Sequence, residues 1–184
     1  MIDRRLINLD ITTRCTLACP QCRRTVYKNL GWKIEGGNMS FEDFKKVHNF
    51  FDTLSFCGGV SDPIYHPQFI EFLEYSKYKE VEVHTAASHQ PEDWYRSAFK
   101  SNPKAQWIFG LDGLPYESHK YRVNQDGDKL FGIMKMAVDM GIDVVWQYLI
   151  FDYNKNHIEE SRALAEGMTF FTMQPRDFKS GKPL

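Results

Sequence analysis

The chain has 184 residues, of which 42% are hydrophobic and 26% are charged, and its formal net charge is −1. A chain of this length can bury the core of one ordinary domain. The nearly neutral charge provides no general attraction to nucleic acid or to a membrane surface, and no stretch approaches the roughly 20 apolar residues of a membrane span. The chain has 4 cysteines, which do not form a disulfide scaffold pattern, so we expect a protein of the reducing cytoplasm.

Short apolar runs alternate with longer stretches of helical periodicity along the chain. Six runs predict strands: Leu6–Ile11, Leu54–Cys57, Val81–Thr85, Gln106–Leu111, Val144–Ile150 and Thr169–Met173. Five intervening stretches predict helices: Phe41–Asp52, Pro67–Tyr78, Pro91–Lys100, Lys129–Met140 and Ile158–Glu166. Strands that alternate with helices favour a parallel sheet built from βα units.

We therefore predict an α/β fold, a single domain over residues 1–184 with an open (βα)6 barrel, a partial TIM-like barrel. In such folds the loops at the carboxyl ends of the strands form the functional site. An open barrel also leaves an edge strand that needs to be covered. We expect a large substrate, a partner chain or a second copy of the chain in a homodimer to cover that edge.

Three cysteines, Cys15, Cys19 and Cys22, lie in the run "RCTLACPQC" directly after the first predicted strand. Their spacing offers three thiolates to one metal centre. A closed zinc site needs four ligands, so a zinc-binding module would require Cys57 or a histidine as the fourth. Thiolates also suit iron–sulfur clusters, and a [4Fe-4S] cluster with three protein ligands keeps one iron open.

This spacing resembles the signature of the radical S-adenosylmethionine (SAM) superfamily. The resemblance implies that Cys15, Cys19 and Cys22 hold a [4Fe-4S] cluster, and that the methionine end of SAM chelates the open iron. It further implies an electron donor such as a flavodoxin or ferredoxin, reductive cleavage of SAM, and abstraction of hydrogen from a substrate. The pattern is closest to the barrel of the molybdenum-cofactor cyclase and peptide-maturase members, without their C-terminal auxiliary-cluster domain, because no cysteine follows Cys57.

The second predicted strand ends in "CGGVSDP", which resembles a Gly-Gly-Glu-Pro segment that receives the SAM amino group in that superfamily. One alignment matches Gly58 and Gly59 to the family glycines. The other matches Asp62 and Pro63 to the acid–proline pair, and we favour Asp62 for the carboxylate. Paired glycines allow the backbone to approach a ligand closely. We therefore expect Gly58, Gly59 and Asp62 to contact SAM.

Later strand ends carry the remaining expected SAM contacts. Thr85 in "VHTAAS" and Asp112 in "FGLDG" stand where the family has Thr-Asn-Gly and Ser-x-Asp-Gly segments. Arg122 in "PYESHKYR" matches an arginine that reaches the SAM carboxylate, a task that suits the two parallel hydrogen bonds of a guanidinium. Gln147 is a lone amide in an apolar strand, at a position that faces SAM or substrate in the family.

The resemblance implies a radical SAM enzyme that acts on a peptide or a small metabolite, with no residue that identifies the substrate. A glycyl-radical activating enzyme acting on a partner protein is an alternative, although Arg23 and Arg24 replace the His-Asn-like pair that often follows the third cysteine. A zinc-binding module without catalysis is a third. We interpret Cys57 as a buried core cysteine, with a fourth metal ligand or a radical-bearing thiol as open alternatives.

Overall fold

Six parallel strands form one sheet whose spatial order is the order of the chain. In a computed structural model that describes residues 6–175, the strands are β1 (Leu6–Asn8), β2 (Thr53–Phe56), β3 (Glu80–Thr85), β4 (Gln106–Gly110), β5 (Val144–Leu149) and β6 (Thr169–Met173). The helices are α1 (Arg23–Asn29), α2 (Phe41–Phe50), α3 (Phe69–Tyr75), α4 (Glu92–Ser101), α5 (Gly127–Asp139) and α6 (Ile158–Leu164). The predicted open, partial TIM-like barrel is confirmed, and β1 and β6 are the two edges of the sheet. The ends of the predicted 1–184 domain lie outside the described residues.

Several strands and helices are shorter than predicted, and one helix was not predicted. β1 ends at Asn8 rather than Ile11, although the Leu9 amide still donates to the Ser55 carbonyl at 2.8 Å. The helix predicted over Pro67–Tyr78 is shorter, because a turn precedes Phe69. Helix α1 contains no buried residue, so its sequence lacks the apolar face by which the other helices are recognised.

Helix ends follow the local chemistry of their sequences. Ser40 precedes α2, and its Oγ accepts a hydrogen bond from the Asp43 amide at 3.1 Å, as an N-cap serine does. Gly141 and Gly167 follow α5 and α6 with φ values of 77° and 76°. The left-handed conformation favours glycine; Gly141 adopts it directly after the C-cap residue Met140 of α5, whereas Gly167 adopts it in the turn that leads from α6 to β6.

The apolar core lies between the sheet and the outer helices. Along β5, Trp146 is buried and contacts the Phe131 ring of α5, whereas Gln147 is half-buried on the opposite, concave face. Under α2 and α3, the Phe44 and Phe72 rings are stacked with centroids 4.2 Å apart. The outer face of the sheet is therefore sealed by aromatic packing, which leaves the concave face and its upper rim for polar side chains.

No helix within residues 6–175 is long and apolar enough to cross a membrane.

We expect Phe44→Ala to lower the free energy of unfolding by about 3–5 kcal/mol, because it removes a fully buried ring and leaves a cavity. Phe50→Ala, at a ring that is 61% exposed on the same helix, should change it by about 0.5 kcal/mol or less. Denaturant unfolding of both variants measures the difference. Equal losses would show that α2 does not pack as described.

Candidate active site

One cavity of about 310 Å³ opens at the carboxyl ends of the strands. Nine of the ten residues expected to bind metal or SAM line it: Cys15, Cys19, Cys22, Gly58, Gly59, Asp62, Thr85, Arg122 and Gln147. The tenth, Asp112, is fully buried behind the wall, where it contacts Arg122. Positions that are 132 residues apart in sequence, Cys15 and Gln147, thus share one cavity, because all the parallel strands end at the same rim.

The cysteine loop connects β1 to α1 and is fixed from several sides. The Ala18 amide donates to the Val123 carbonyl and the Asp62 amide donates to the Arg14 carbonyl, each at 3.0 Å. Cys22 immediately precedes α1, and its amide donates to the Cys19 carbonyl at 3.0 Å. The loop is therefore held against the turns that follow β2 and β4.

Burial disfavours the thiolate form of two cysteines of this loop, Cys15 and Cys19. Burial and the nearby Asp62 carboxylate raise the pKa of Cys15 to about 12. Burial also raises the pKa of Cys19, against the opposing effect of the Arg122 guanidinium. Metal binding must therefore release protons from these thiols, so the affinity of the loop for metal should rise with pH.

The donor chemistry of the loop fits a cluster. Three soft sulfur atoms line one cavity, and thiolates are the protein ligands that hold iron–sulfur clusters. Within the described ranges, no group of three or more His, Cys, Asp and Glu side chains could hold a single metal ion. Cys15, Cys19 and Cys22 are the residues that would hold a [4Fe-4S] cluster, which would supply one-electron chemistry at this cavity.

The turn after β2 has a shape that only glycine permits. A Cβ atom on Gly58 would lie 2.1 Å from the Ser61 carbonyl oxygen, far inside van der Waals contact. Next to it, the Gly59 amide donates to Asp10 Oδ2 and the Ser61 hydroxyl donates to Asp10 Oδ1, both at 2.7 Å. Asp10 thus holds the turn in place from the end of β1. It was not among the predicted site residues.

Asp62 ties this turn to the end of β3. Its carboxylate accepts from the Thr85 hydroxyl at 2.9 Å and from the Ala86 and Ala87 amides at 3.0 and 3.1 Å. Burial raises its pKa, while these donors oppose that rise. Asp62 and Thr85 both line the cavity, yet each is engaged with the other, so their contact with SAM stays a prediction.

Arg122 is a half-buried side chain, not a solvated surface arginine. It is 16% exposed, and its Nε donates to Asp112 Oδ2 at 2.6 Å. Its Nη2 lies over Gly110, where a Cβ atom would be only 2.9 Å away. Burial lowers the pKa of Arg122, but the Asp112 carboxylate raises it, and the net pKa lies above the ordinary value. The guanidinium therefore stays cationic at the cavity wall.

A glutamine that the sequence did not reveal fixes the strand ends behind Arg122. Gln125 Nε2 donates to the Ala86 carbonyl at 2.6 Å and to the Gly110 carbonyl at 2.9 Å. Ser118 Oγ donates to Gln125 Oε1 and accepts from the Asp112 amide. These bonds join the ends of β3 and β4 to the segment that carries Arg122. A polar residue in a loop gives no sequence signal for such a role.

Cys57 is not a core cysteine, so that interpretation was wrong. Its side chain is half-buried and lines the cavity, because it follows β2 on the concave side rather than the packed side. His84 lines the same cavity, with Nε2 3.6 Å from Glu82 Oε2. The wall of the cavity therefore includes a thiol and an imidazole as well as the predicted residues.

Comparison with known proteins identifies the fold. No family model matches the chain. The tungsten-containing aldehyde ferredoxin oxidoreductase cofactor-modifying protein of Pyrococcus furiosus is 27% identical over 74 residues, which are 38% of this chain and 19% of that protein. Among solved structures, methylornithine synthase is 17% identical with a TM-score of 0.66, over 97% of this chain and 55% of that one. SuiB of Streptococcus suis bound to S-adenosylmethionine is 12% identical with a TM-score of 0.70, over 96% of this chain and 42% of that one.

These matches show that the chain shares the open barrel of βα units of these solved structures. The chain has the fold of the radical SAM superfamily. It spans about half the length of the two solved structures and about a fifth of the curated relative that it matches.

We expect Gly58→Ala to disrupt the site, because the added Cβ atom must displace the Ser61 carbonyl and with it the contacts to Asp10. Weakening of SAM binding by at least tenfold, measured by titration calorimetry, is the expected result. Gly132→Ala is the matched control: nothing lies within 4 Å of its Cβ position in α5, and alanine there should keep or raise stability by up to about 1 kcal/mol. Unchanged SAM affinity in Gly58→Ala would contradict the described turn.

Proposed function

We propose that this protein is a radical SAM enzyme, with a [4Fe-4S] cluster on Cys15, Cys19 and Cys22 and SAM in the adjoining cavity. The observation that supports this most is that the three thiols line the same cavity as the glycine turn and the half-buried, cationic Arg122. In such enzymes the reduced cluster supplies the electron that cleaves SAM into methionine and a 5′-deoxyadenosyl radical. The radical chemistry belongs to the cofactors, and the protein contributes binding and orientation.

The residues of this chain have distinct tasks in the proposal. The backbone of Gly58 and Gly59 approaches the methionine amino group, since neither residue has a side chain to hold it off. Arg122 faces the methionine carboxylate with its terminal nitrogens, because its Nε is engaged by Asp112. Gln147 offers an amide from β5 to SAM or to substrate.

Asp112 and Gln125 lie behind the cavity wall and hold the residues that form it. Asp112 keeps Arg122 charged and oriented, and Gln125 fixes the carbonyls of Ala86 and Gly110 beneath it. A guanidinium held by a buried carboxylate loses little further freedom when it binds a ligand, which favours affinity.

The substrate class that we propose is a peptide or a small metabolite. Both classes occur among the similar folds: one SuiB structure is bound to the precursor peptide SuiA, whereas methylornithine synthase is named for a small product. Exposed apolar side chains on the edge strand β6, Phe171 at 50% and Met173 at 40%, support a large substrate, a partner chain or a second copy covering that edge. An electron donor of the flavodoxin or ferredoxin type and a cytoplasmic location complete the proposal.

The cysteine assignment is tested by substitution. After anaerobic reconstitution with iron and sulfide, we expect Cys15→Ala, Cys19→Ala and Cys22→Ala each to abolish reductive SAM cleavage, because each removes one of three cluster ligands. Cys57→Ala is the matched control and should retain both iron and SAM cleavage. Formation of 5′-deoxyadenosine is measured by chromatography, and iron content by a colorimetric assay. A colourless wild-type protein with tightly bound zinc would refute the enzyme assignment.

The role of Arg122 is tested by Arg122→Lys, which keeps the charge but removes the forked pair of donors. We expect SAM to bind about 10- to 100-fold more weakly by titration calorimetry, which corresponds to about 1.4–2.7 kcal/mol. The same substitution at the exposed Arg96 of α4 should leave SAM affinity unchanged. Circular dichroism establishes that both variants fold. Equal SAM affinity in Arg122→Lys and wild type would remove Arg122 from the SAM site.

A further inference from the structure

A basic surface lies beside the cysteine loop. Residues 11–34 contain five Arg and Lys side chains and no Asp or Glu, although the whole chain has a formal net charge of −1. Three of these cations, Arg24, Lys28 and Lys33, line one surface depression of about 430 Å³ together with Trp32. No carboxylate lines that depression. We call these four residues the basic surface.

Two residues of the basic surface, Arg24 and Lys28, lie on α1, and the other two follow it. Helix α1 contains no buried residue, and the segment after it exposes Leu30 at 54% and Trp32 at 61%. Lys28 and Lys33 are exposed as well. Tryptophan and arginine are enriched at protein–protein interfaces, whereas a large apolar side chain left in water gains nothing for the fold. The combination of cations and an exposed tryptophan in the basic surface therefore favours an interface with a partner of opposite charge.

The position of the basic surface identifies that partner. Cys22 directly precedes α1, and Lys28 is six residues further along, which is about 9 Å at 1.5 Å per helical residue. A protein seated on α1 would therefore lie next to the third cluster ligand. Charge complementarity requires the partner to be acidic.

We infer that the basic surface is the docking site of an acidic one-electron carrier of the flavodoxin or ferredoxin type. This inference rests on the proposed function and assigns its electron-donor site. In the transfer the carrier loses one electron and the cluster gains it, with no proton or group exchanged. Arg24 also donates to the Thr13 carbonyl of the cysteine loop, so it anchors the loop as well as adding charge.

The test reverses charge at the two positions that do not hold the loop. Lys28→Glu with Lys33→Glu forms the test protein, and Lys100→Glu with Lys104→Glu forms the control. Both control residues are exposed near the end of α4, at the amino ends of the strands, and the net charge changes equally in the two proteins. Binding of oxidised flavodoxin to the reconstituted proteins is measured by titration at 50 mM salt. SAM cleavage is measured with reduced flavodoxin and, separately, with dithionite.

We expect flavodoxin to bind the test protein at least tenfold more weakly than wild type or the control protein. Flavodoxin-driven SAM cleavage should fall by a similar factor, while dithionite-driven cleavage stays within twofold. Raising the salt should weaken wild-type binding and narrow the difference, because screening reduces attraction between exposed charges.

Three results would overturn the inference. The first is equal flavodoxin affinity in the test and wild-type proteins. The second is an equal loss of flavodoxin affinity in the test and control proteins. The third is tight binding of an oligonucleotide that the charge reversal abolishes while flavodoxin binding is unaffected. Failure of the proposed function is recognised separately, because wild type would then cleave no SAM with dithionite, whatever its affinity for flavodoxin.

Discussion

The buried contact between Arg122 and Asp112 is the interaction on which the site depends. Asp112 follows β4 and accepts from both Arg122 Nε and the Leu149 amide at the end of β5, at 2.6 and 2.8 Å. Its own carbonyl accepts from the Tyr153 hydroxyl at 2.7 Å. One carboxylate therefore joins the ends of two strands to the segment that carries the guanidinium. Removing one partner of such a buried pair typically costs about 3–5 kcal/mol, because the other charge is left uncompensated.

The electrostatics of the cavity follow from this pair and from two further carboxylates. Asp10 holds the glycine turn and Asp62 holds the end of β3, so both acidic groups are committed to backbone and hydroxyl donors. Arg122 then remains as the half-buried cation beside three thiols, and burial raises the pKa of two of them, Cys15 and Cys19. The positive charge of Arg122 therefore favours negatively charged groups in the cavity, such as metal-bound thiolates of the loop or the carboxylate of a ligand.

The sequence predicted the fold well because its signals are periodic and long. Alternation of apolar runs located all six strands, since each central strand is buried by helices on its outer face. Helix α1 could not be predicted in this way, because it lacks any buried face. The positions of the strand ends were the most useful site signal: parallel strands bring their carboxyl ends to one rim, and nine of ten predicted residues meet there.

What the sequence could not reveal is which polar groups hold other protein groups. Asp62 was expected to face SAM, yet its oxygens accept from Thr85 and two amides. Asp10 lies between the buried Leu9 and Ile11, and Gln125 lies in a polar loop, so neither belongs to a motif and their contacts arise only from the tertiary arrangement. Cys57 was assigned to the core because free cysteines are usually buried, but the register of β2 places it on the concave side.

We propose that Cys15, Cys19 and Cys22 hold a cluster whose open iron binds SAM. The most direct measurement is electron paramagnetic resonance of the anaerobically reconstituted, dithionite-reduced protein, before and after SAM is added. The account predicts the signal of a reduced [4Fe-4S] cluster and a clear change in its g-values with SAM. A cluster signal that SAM leaves unaltered, in a protein that also fails to bind SAM by calorimetry, would contradict it.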